Sequence, residues 1–231
     1  MNKILILSHP KNDLATTVLN TCEGARWSTP RDIQSEELSQ YDALCVLAGD
    51  LDRPYTLPAP LRTAAEEMRE AGKPVFCEFI NSIGPVYSAA PTGTTHHRMI
   101  YSDAYVQVEG MTKGDVLDGH GNEIIPYYFA PDTILPILTY HDYICAHDRL
   151  DMEDAAFRSG KLALWKLDGN TLISSIRLCN FNRARLAPRD SWEKILTDLN
   201  LISPGMMYSE DVIKHTYSRF TALRMFSSVN I

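Results

Sequence analysis

The stretch GKPVFCEFINSIG, residues 72–84, places a cysteine beside a glutamate near the end of a short apolar run. A nucleophilic thiol needs a lowered pKa, access to substrate and, usually, a tight turn with small neighbours. Cys77 instead lies among Phe76, Glu78 and Phe79, and a neighbouring carboxylate disfavours a thiolate. Strand alternation would place Cys77 and Phe79 on one face and Phe76 and Glu78 on the other. The pattern favours a buried structural cysteine, with a thiol hydrolase centred on Cys77 as the alternative.

Carboxylates offer a second kind of chemistry. Ligands of open α/β sheets bind beyond the carboxyl ends of the strands, and Asp50, Asp52 and Glu78 follow or end apolar runs. Glu78 with one of the aspartates would supply the nucleophile or the acid/base of glycosyl transfer or hydrolysis, for which retaining chemistry needs carboxyl groups about 5–5.5 Å apart. His9 and Asn81 are predicted to bind ligand at the same rim. Solvated loop residues are the alternative interpretation.

The segment RLCNFNRARLAPRDSW, residues 177–192, concentrates arginine and asparagine in an otherwise acidic chain. Planar guanidinium groups recognise carboxylates bidentately and are enriched at protein interfaces. Ligand or partner binding and an internal salt-bridge cluster are equal alternatives for this segment. The binding residues predicted here are Asn180, Asn182, Arg183, Arg185 and Trp192.

The histidines do not have the spacing of a metal site. His141 and His147 are six residues apart, which matches neither one helical face nor one strand face, and His96 and His97 are adjacent. We therefore predict no metal and no cofactor, and the role of both histidine pairs is left open.

Composition limits the classes of function. The chain has 231 residues, 45% hydrophobic and 22% charged, with a formal net charge of −7. An acidic chain lacks the basic face that nucleic acid requires, and no run approaches the ~20 apolar residues of a membrane span. The first apolar run ends at Ser8, short of a signal peptide. Five scattered cysteines without a CxxC motif predict a reducing, cytoplasmic location: Cys22, Cys45, Cys77, Cys145 and Cys179.

The first half of the chain alternates strand-like and helix-like segments. KILILSH, YDALCVLAG and KPVFCEF are apolar runs typical of strands buried on both faces. KNDLATTVLNTC and PAPLRTAAEEMREAG predict helices between them, and Gly72 ends the second one. This alternation predicts parallel βαβ units.

The second half is less regular. EIIPYYF predicts an edge strand, whereas TILPILTYHDYICAH is ambiguous between helix plus strand and two strands. KLALWKLDGNTLISSIRL predicts a hairpin around Asp168-Gly169-Asn170, and amphipathic helices follow. The predicted fold is α/β, a mostly parallel sheet flanked by helices, with a late β-hairpin and C-terminal helices. Residues 1–205 form one predicted domain and residues 206–231 a helical extension.

These elements resemble the class I glutamine amidotransferase-like fold, which is flavodoxin-like. In its catalytic members the strand after GKPV ends in a G-x-C-x-G elbow, and a histidine and a glutamate follow the late hairpin strand. Laid on this chain, the elbow cysteine falls at about Phe79 and the following glycine at about Asn81, while ISSIRLCNF has no histidine. The resemblance therefore implies the frame of an active site without its chemistry.

A closer resemblance, over most of the chain, is to degenerate amidotransferase-like domains attached to bacterial carbohydrate-active proteins. VFCEF, IIPYYFAPDTILPIL and SSIRLCNFNRARLAPRDSWEKIL carry it, the last with Asn180, Phe181, Arg185, Pro188 and Trp192 in the late-strand pattern. Such domains commonly precede a helical-barrel glycosidase module. The resemblance implies an accessory domain that binds a glycosidase subunit, a second copy of itself, or a sugar.

Overall fold

The computed structural model describes residues 3–8, 11, 15–16, 18–19, 23–48, 54–93, 98–101, 116–118, 124–129, 135–141 and 162–175. Its strands are β1 (Ile4–Ser8), β2 (Ala25–Ser28), β3 (Ala43–Leu47), β4 (Val75–Glu78), β5 (Ser82–Ile83), β6 (Val86–Gly93), β7 (Arg98–Tyr101), β8 (Val116–Asp118), β9 (Ile124–Phe129), β10 (Leu135–His141), β11 (Leu162–Lys166) and β12 (Thr171–Ser174). A 3-10 helix spans Ser35–Gln40, α1 spans Ala59–Glu70, and Ala15, Thr16, Val18 and Leu19 are also helical.

Nine strands form one sheet in the order β2-β1-β3-β4-β12-β11-β10-β7-β8. The first five run parallel to one another, and every pairing from β12 onward is antiparallel. The predicted α/β fold, with its parallel core and late hairpin, is confirmed. Beyond the hairpin the sheet continues as an antiparallel wing.

A second sheet has the strand order β5-β6-β9, and its first two strands come directly after β4 in the sequence. EIIPYYF supplies β9, which lies at an edge as predicted. The ambiguous segment TILPILTYHDYICAH contributes a strand, β10, to the larger sheet. The short edge strand β2 was not predicted, because ARWS has no apolar run.

Both faces of the parallel core are buried. Leu5, Leu44 and Cys77 lie on the face that packs against α1 and the 3-10 helix, in a cluster that also contains Trp165 of the hairpin. Burial on both faces explains why β1, β3 and β4 are continuous apolar runs.

Helix α1 shows the periodicity expected of a helix on a sheet. Leu61, Ala65 and Met68 recur at helical spacing and are buried, so these three residues form the face that packs on the core. The helix is followed by Gly72, whose φ of +75° is a left-handed conformation that glycine adopts without steric cost.

The C-terminal end of α1 is tied to two turns. Arg69 Nη1 lies 2.9 Å from Asp168 Oδ2 in the hairpin turn, and the Arg69 guanidinium packs under Gly84 of the β5–β6 turn. Asn170 donates a hydrogen bond from its side-chain amide to the carbonyl of Gly72. The start of β12 is thereby fixed beside the start of β4.

Residues 176–231 lie outside the described part of the chain. The predicted C-terminal helices and the division at residue 205 are therefore not tested.

Candidate functional site at the end of the central strand

Cys77 lies within the core. Its side chain is fully buried, and it belongs to the cluster beneath α1. Burial raises the pKa of the Cys77 thiol to about 12, because a thiolate there would lose its hydration. A thiol without access and without ionisation at neutral pH has neither property of a nucleophile.

Phe79 takes a backbone conformation that bulky residues avoid. Its φ is +50°, the one positive φ among described non-glycine residues, and its side chain is fully buried. Sequence reasoning put Phe79 on the face of Cys77, but it is not part of the cluster that contains Cys77. The left-handed turn ends the strand alternation at Glu78.

The turn at Phe79 therefore has the backbone strain of an elbow, at the position where the family resemblance puts the elbow cysteine. Nucleophile elbows lead from a strand through a strained turn into a helix. Here β5 and β6 follow instead. The likeness to a nucleophile elbow therefore ends at the turn.

Backbone hydrogen bonds hold this turn from two sides. Phe79 donates its N–H to Ser174 O at 2.7 Å, and its carbonyl accepts from Tyr55 N at 2.8 Å. Asn81 donates its N–H to Tyr55 O at 2.7 Å, and its side-chain amide donates to Thr56 Oγ1 at 3.2 Å. The segment 54–57 thus runs beside the turn like a short added strand, with Tyr55 and Ile80 in a parallel bridge.

Glu78 is the last residue of β4 and is fully buried on the face opposite Cys77. Register places it in one row with Ser8, Leu47 and Ser174, the final residues of β1, β3 and β12. All four are buried. A carboxyl group held away from water in the middle of a sheet costs free energy, because it loses its hydration.

The row reaches the surface near β2. Ser8 accepts a hydrogen bond from the indole N–H of Trp27 at 2.8 Å, and Lys11 Nζ lies 5.0 Å from the centroid of the Trp27 ring. A cation at this distance over an indole face is attracted to its π electrons. The end of β1 is therefore lined by polar and aromatic groups.

The structure brings together only some of the residues predicted to form the site. Cys77, Glu78 and Asn81 lie at the end of β4, on different sides of the chain. Tyr55 was missed, because its bridge to Ile80 joins segments that no local pattern connects. The other predicted residues lie outside the described part of the chain: His9, Asp50, Asp52, Asn180, Asn182, Arg183, Arg185 and Trp192.

The described residues contain no candidate metal site and no helix that could span a membrane. Among these, no three histidine, cysteine, aspartate or glutamate side chains converge as a metal site would require. No helix in the same residues has the length and hydrophobicity to cross a membrane. His96, His97 and His147 lie outside these residues, and His141 ends β10.

Comparison with known proteins gives a distant structural neighbour. No protein-family model and no curated protein matches the chain. A chain in the structure of PurLQS from Thermotoga maritima aligns over 86% of this chain and 98% of its own length, with 12% identity and a TM-score of 0.44. A likeness of this degree does not extend to activity, and the fold described above rests on this chain's own strand pairings.

Proposed function

We propose that this chain is a non-catalytic, accessory amidotransferase-like domain of a bacterial carbohydrate-processing system. It binds a glycosidase partner, a second copy of itself or a sugar. The observation that carries the proposal is the elbow position, where a fully buried phenylalanine, Phe79, has the left-handed backbone.

An acyl-transfer site needs an exposed nucleophile beside N–H groups that are available to an oxyanion. At this turn the N–H groups of Phe79 and Asn81 are already donated to Ser174 O and Tyr55 O. The nearest thiol, Cys77, is buried beneath α1. These features support a frame that has lost acyl-transfer chemistry and is kept for binding.

The carbohydrate setting and the partner come from the sequence resemblance, which covers most of the chain and includes the segment of residues 177–192. Arginine, asparagine and tryptophan in that segment are the residue types that anchor protein interfaces and bind sugars. A cytoplasmic location stays a prediction from the cysteine pattern.

Copurification tests the accessory role. Tagged protein is recovered from a lysate of the source cell, sized by light scattering after gel filtration, and assayed on aryl glycosides. We expect a homo-oligomer or a complex with a glycosidase identified by mass spectrometry, with any activity following that partner. The double variant Arg183→Glu, Arg185→Glu should lose the association, whereas Arg26→Glu, remote from that segment in sequence, should keep it. Unchanged association in the double variant contradicts the proposal.

Glu78 supports a second candidate, a carboxylate-dependent glycoside or nucleoside hydrolase or transferase. The supporting observation is the place of this carboxyl group, at the carboxyl end of a central parallel strand, where α/β enzymes bind ligands. Purified protein that cleaves an aryl glycoside or a nucleoside should lose that activity in Glu78→Gln and keep it in the exposed control Glu70→Gln. Full activity in Glu78→Gln rules this candidate out.

A further inference from the structure

The outer side of β2 is an edge of the large sheet. β2 is the terminal strand in the order of that sheet and pairs with β1 alone. The hydrogen bond from Ile4 N–H to Gly24 O, at 3.1 Å, fixes the ladder between the two strands. In a parallel ladder, every second residue directs its N–H and its carbonyl to the neighbouring strand. The backbone groups of Arg26 therefore face β1, and those of Ala25 and Trp27 face outward.

The outward groups of Ala25 and Trp27 offer hydrogen bonds to another strand. Among the described residues, none forms a backbone hydrogen bond with them on that side. Unpaired edges of this kind accept a strand from another chain unless a proline, a charge or a covering segment prevents it. β2 contains no proline, and its one charged side chain, Arg26, is held on one face of the sheet, where Nη1 lies 3.1 Å from the Tyr41 hydroxyl.

The segment around Trp27 is complementary to a second copy of itself. Across a two-fold axis perpendicular to the sheet, two edge strands meet antiparallel. With the axis at Trp27, the two Trp27 residues exchange N–H to carbonyl hydrogen bonds, Ala25 faces Thr29, and Arg26 faces the uncharged Ser28. An axis at Arg26 would instead set two guanidinium groups opposite each other, and like charges directly opposite destabilise a sheet.

Charges at the two ends of β2 agree with the axis at Trp27. Glu23 lies four residues before Trp27, in the turn that enters β2, and Arg31 lies four residues after it, in the turn that leaves β2. Both side chains are exposed, and among the described residues neither forms an ion pair. The neighbouring Asp32 carboxylate accepts a hydrogen bond from Thr29 Oγ1, at 2.6 Å, within its own turn. The axis brings Glu23 of each copy to Arg31 of the other.

We infer that two copies of this chain form a dimer through antiparallel β2 strands, related by a two-fold axis at Trp27, and we call this contact the β2 interface. Two Glu23–Arg31 ion pairs, one at each end, set its register. The contact is short, so it belongs among the small interfaces that dissociate readily. The inference goes beyond the proposed function, because it gives the second copy an interface separate from residues 177–192.

Charge reversal tests the β2 interface. Self-association of the full chain is measured by sedimentation velocity at low salt, from about 1 to about 200 µM, where small interfaces dissociate. Glu23→Arg and Arg31→Glu each set like charges opposite at both ends, so each should weaken the dimer about tenfold. An equimolar mixture of the two variants should recover wild-type affinity, because both pairs in the mixed dimer are again opposite in charge.

Glu67→Arg is the matched control for the change of charge. Glu67 is exposed and forms no ion pair with a described residue, but it lies on α1. Glu67→Arg should leave the dimer unchanged, and mixing it with Arg31→Glu should recover nothing. A monomer over the whole concentration range, a dimer that neither reversal at β2 weakens, or no recovery on mixing Glu23→Arg with Arg31→Glu overturns the inference.

The accessory role fails separately from the β2 interface. The double variant Arg183→Glu, Arg185→Glu leaves β2 unchanged, so the β2 dimer should persist in it. Only an association that this double variant loses counts towards the accessory role. Self-association that is lost in the double variant but is insensitive to reversal at Glu23 would overturn the β2 interface and support the accessory role.

Discussion

The three consecutive residues at the end of β4 direct their side chains to different places. Cys77 faces the core beneath α1, Glu78 belongs to the opposite face, and Phe79 leaves the strand through a left-handed turn. A thiol and a carboxylate on opposite faces of one strand do not meet at the same substrate atom. The chemistry suggested by adjacent cysteine and glutamate is thus separated by the strand itself.

The buried thiol of Cys77 predicts an alkaline weakness. In the unfolded chain this thiol ionises near pH 9.0, whereas its folded pKa is about 12. The stability associated with the neutral Cys77 thiol is therefore fully present below pH 9. As the pH rises from 9 towards 12, the free energy of unfolding falls, because the thiol ionises in the unfolded chain but not in the folded one. Between pH 9 and about 10.5 it should lower the free energy of unfolding by about 2 kcal/mol.

Urea titrations from about pH 8 to about pH 10.5 measure this loss. Cys77→Ala has no thiol at this position, so its free energy of unfolding should fall less steeply over the same range. Equal slopes for wild type and variant would show that Cys77 is not the group responsible.

The left-handed turn at Phe79 predicts an unusual order of substitutions. In ordinary strand conformation, glycine is about 0.5–1 kcal/mol worse than alanine. At Phe79 the φ of +50° penalises alanine but not glycine. The free energy of unfolding of Phe79→Gly should therefore exceed that of Phe79→Ala by about 1 kcal/mol, so that Phe79→Gly unfolds at higher urea. Both variants lose the buried ring, so their difference reports the backbone alone.

Phe76 provides the matched control for this comparison. It is equally buried in β4, and its φ is not positive. There, Phe76→Gly should be the less stable of the pair. The same order at both positions would contradict a strained turn at Phe79.

At the scale of elements, Arg69 joins three pieces of the fold. It extends from α1 to the hairpin turn through Asp168 and supports the β5–β6 turn at Gly84. Burial by itself raises the pKa of Asp168, but hydrogen bonds from Arg69 and from the Asn170 backbone N–H, together with the charge of Arg69, outweigh it and lower the pKa. The carboxylate is thus kept charged where it holds the start of β12.

Alanine substitutions at two glycines in these turns should affect stability to different extents. An added Cβ at Gly84 would meet the Arg69 guanidinium at 3.1 to 3.2 Å, and φ there is +52°. Gly84→Ala should therefore destabilise by about 1–2 kcal/mol, through strain and displacement of Arg69. A Cβ at Gly169 meets nothing within 4 Å, so Gly169→Ala should change stability by less than about 0.5 kcal/mol in thermal or urea unfolding. Similar effects at both positions would contradict a contact specific to Gly84.

What the sequence predicted depended on whether a pattern was local. The runs around Leu5, Leu44 and Val75 predicted their strands, because a strand that is buried on both faces consists of consecutive apolar residues. Alternation likewise separated Cys77 from Glu78. The turn at Phe79 and the bridge from Tyr55 to Ile80 could not be predicted, since both depend on hydrogen bonds between segments distant in sequence.

At the scale of the whole molecule, the hairpin strand β12 joins the parallel part of the large sheet to its antiparallel part. On one side it pairs parallel with β4, and on the other it pairs antiparallel with β11. Its residues from Thr171 to Ser174 are all buried, as is the following Ser175, and Ser174 O accepts the hydrogen bond that fixes the turn at Phe79. The late strand is therefore as central as the first ones, although it comes more than ninety residues after β4 in the sequence.

This arrangement predicts how the molecule opens. Buried strands that share hydrogen bonds on both sides exchange their amides only on global unfolding, whereas edges and exposed turns open locally. Amides of β1, β3, β4 and β12 should therefore form one slowest class in hydrogen exchange read by mass spectrometry. Peptides covering the edge strand β2 and the β5–β6 turn should exchange faster. If β12 instead exchanged well before β1, β3 and β4, the hairpin would be a separate unit docked on the core, and the turn at Phe79 would lose its support whenever that unit opened.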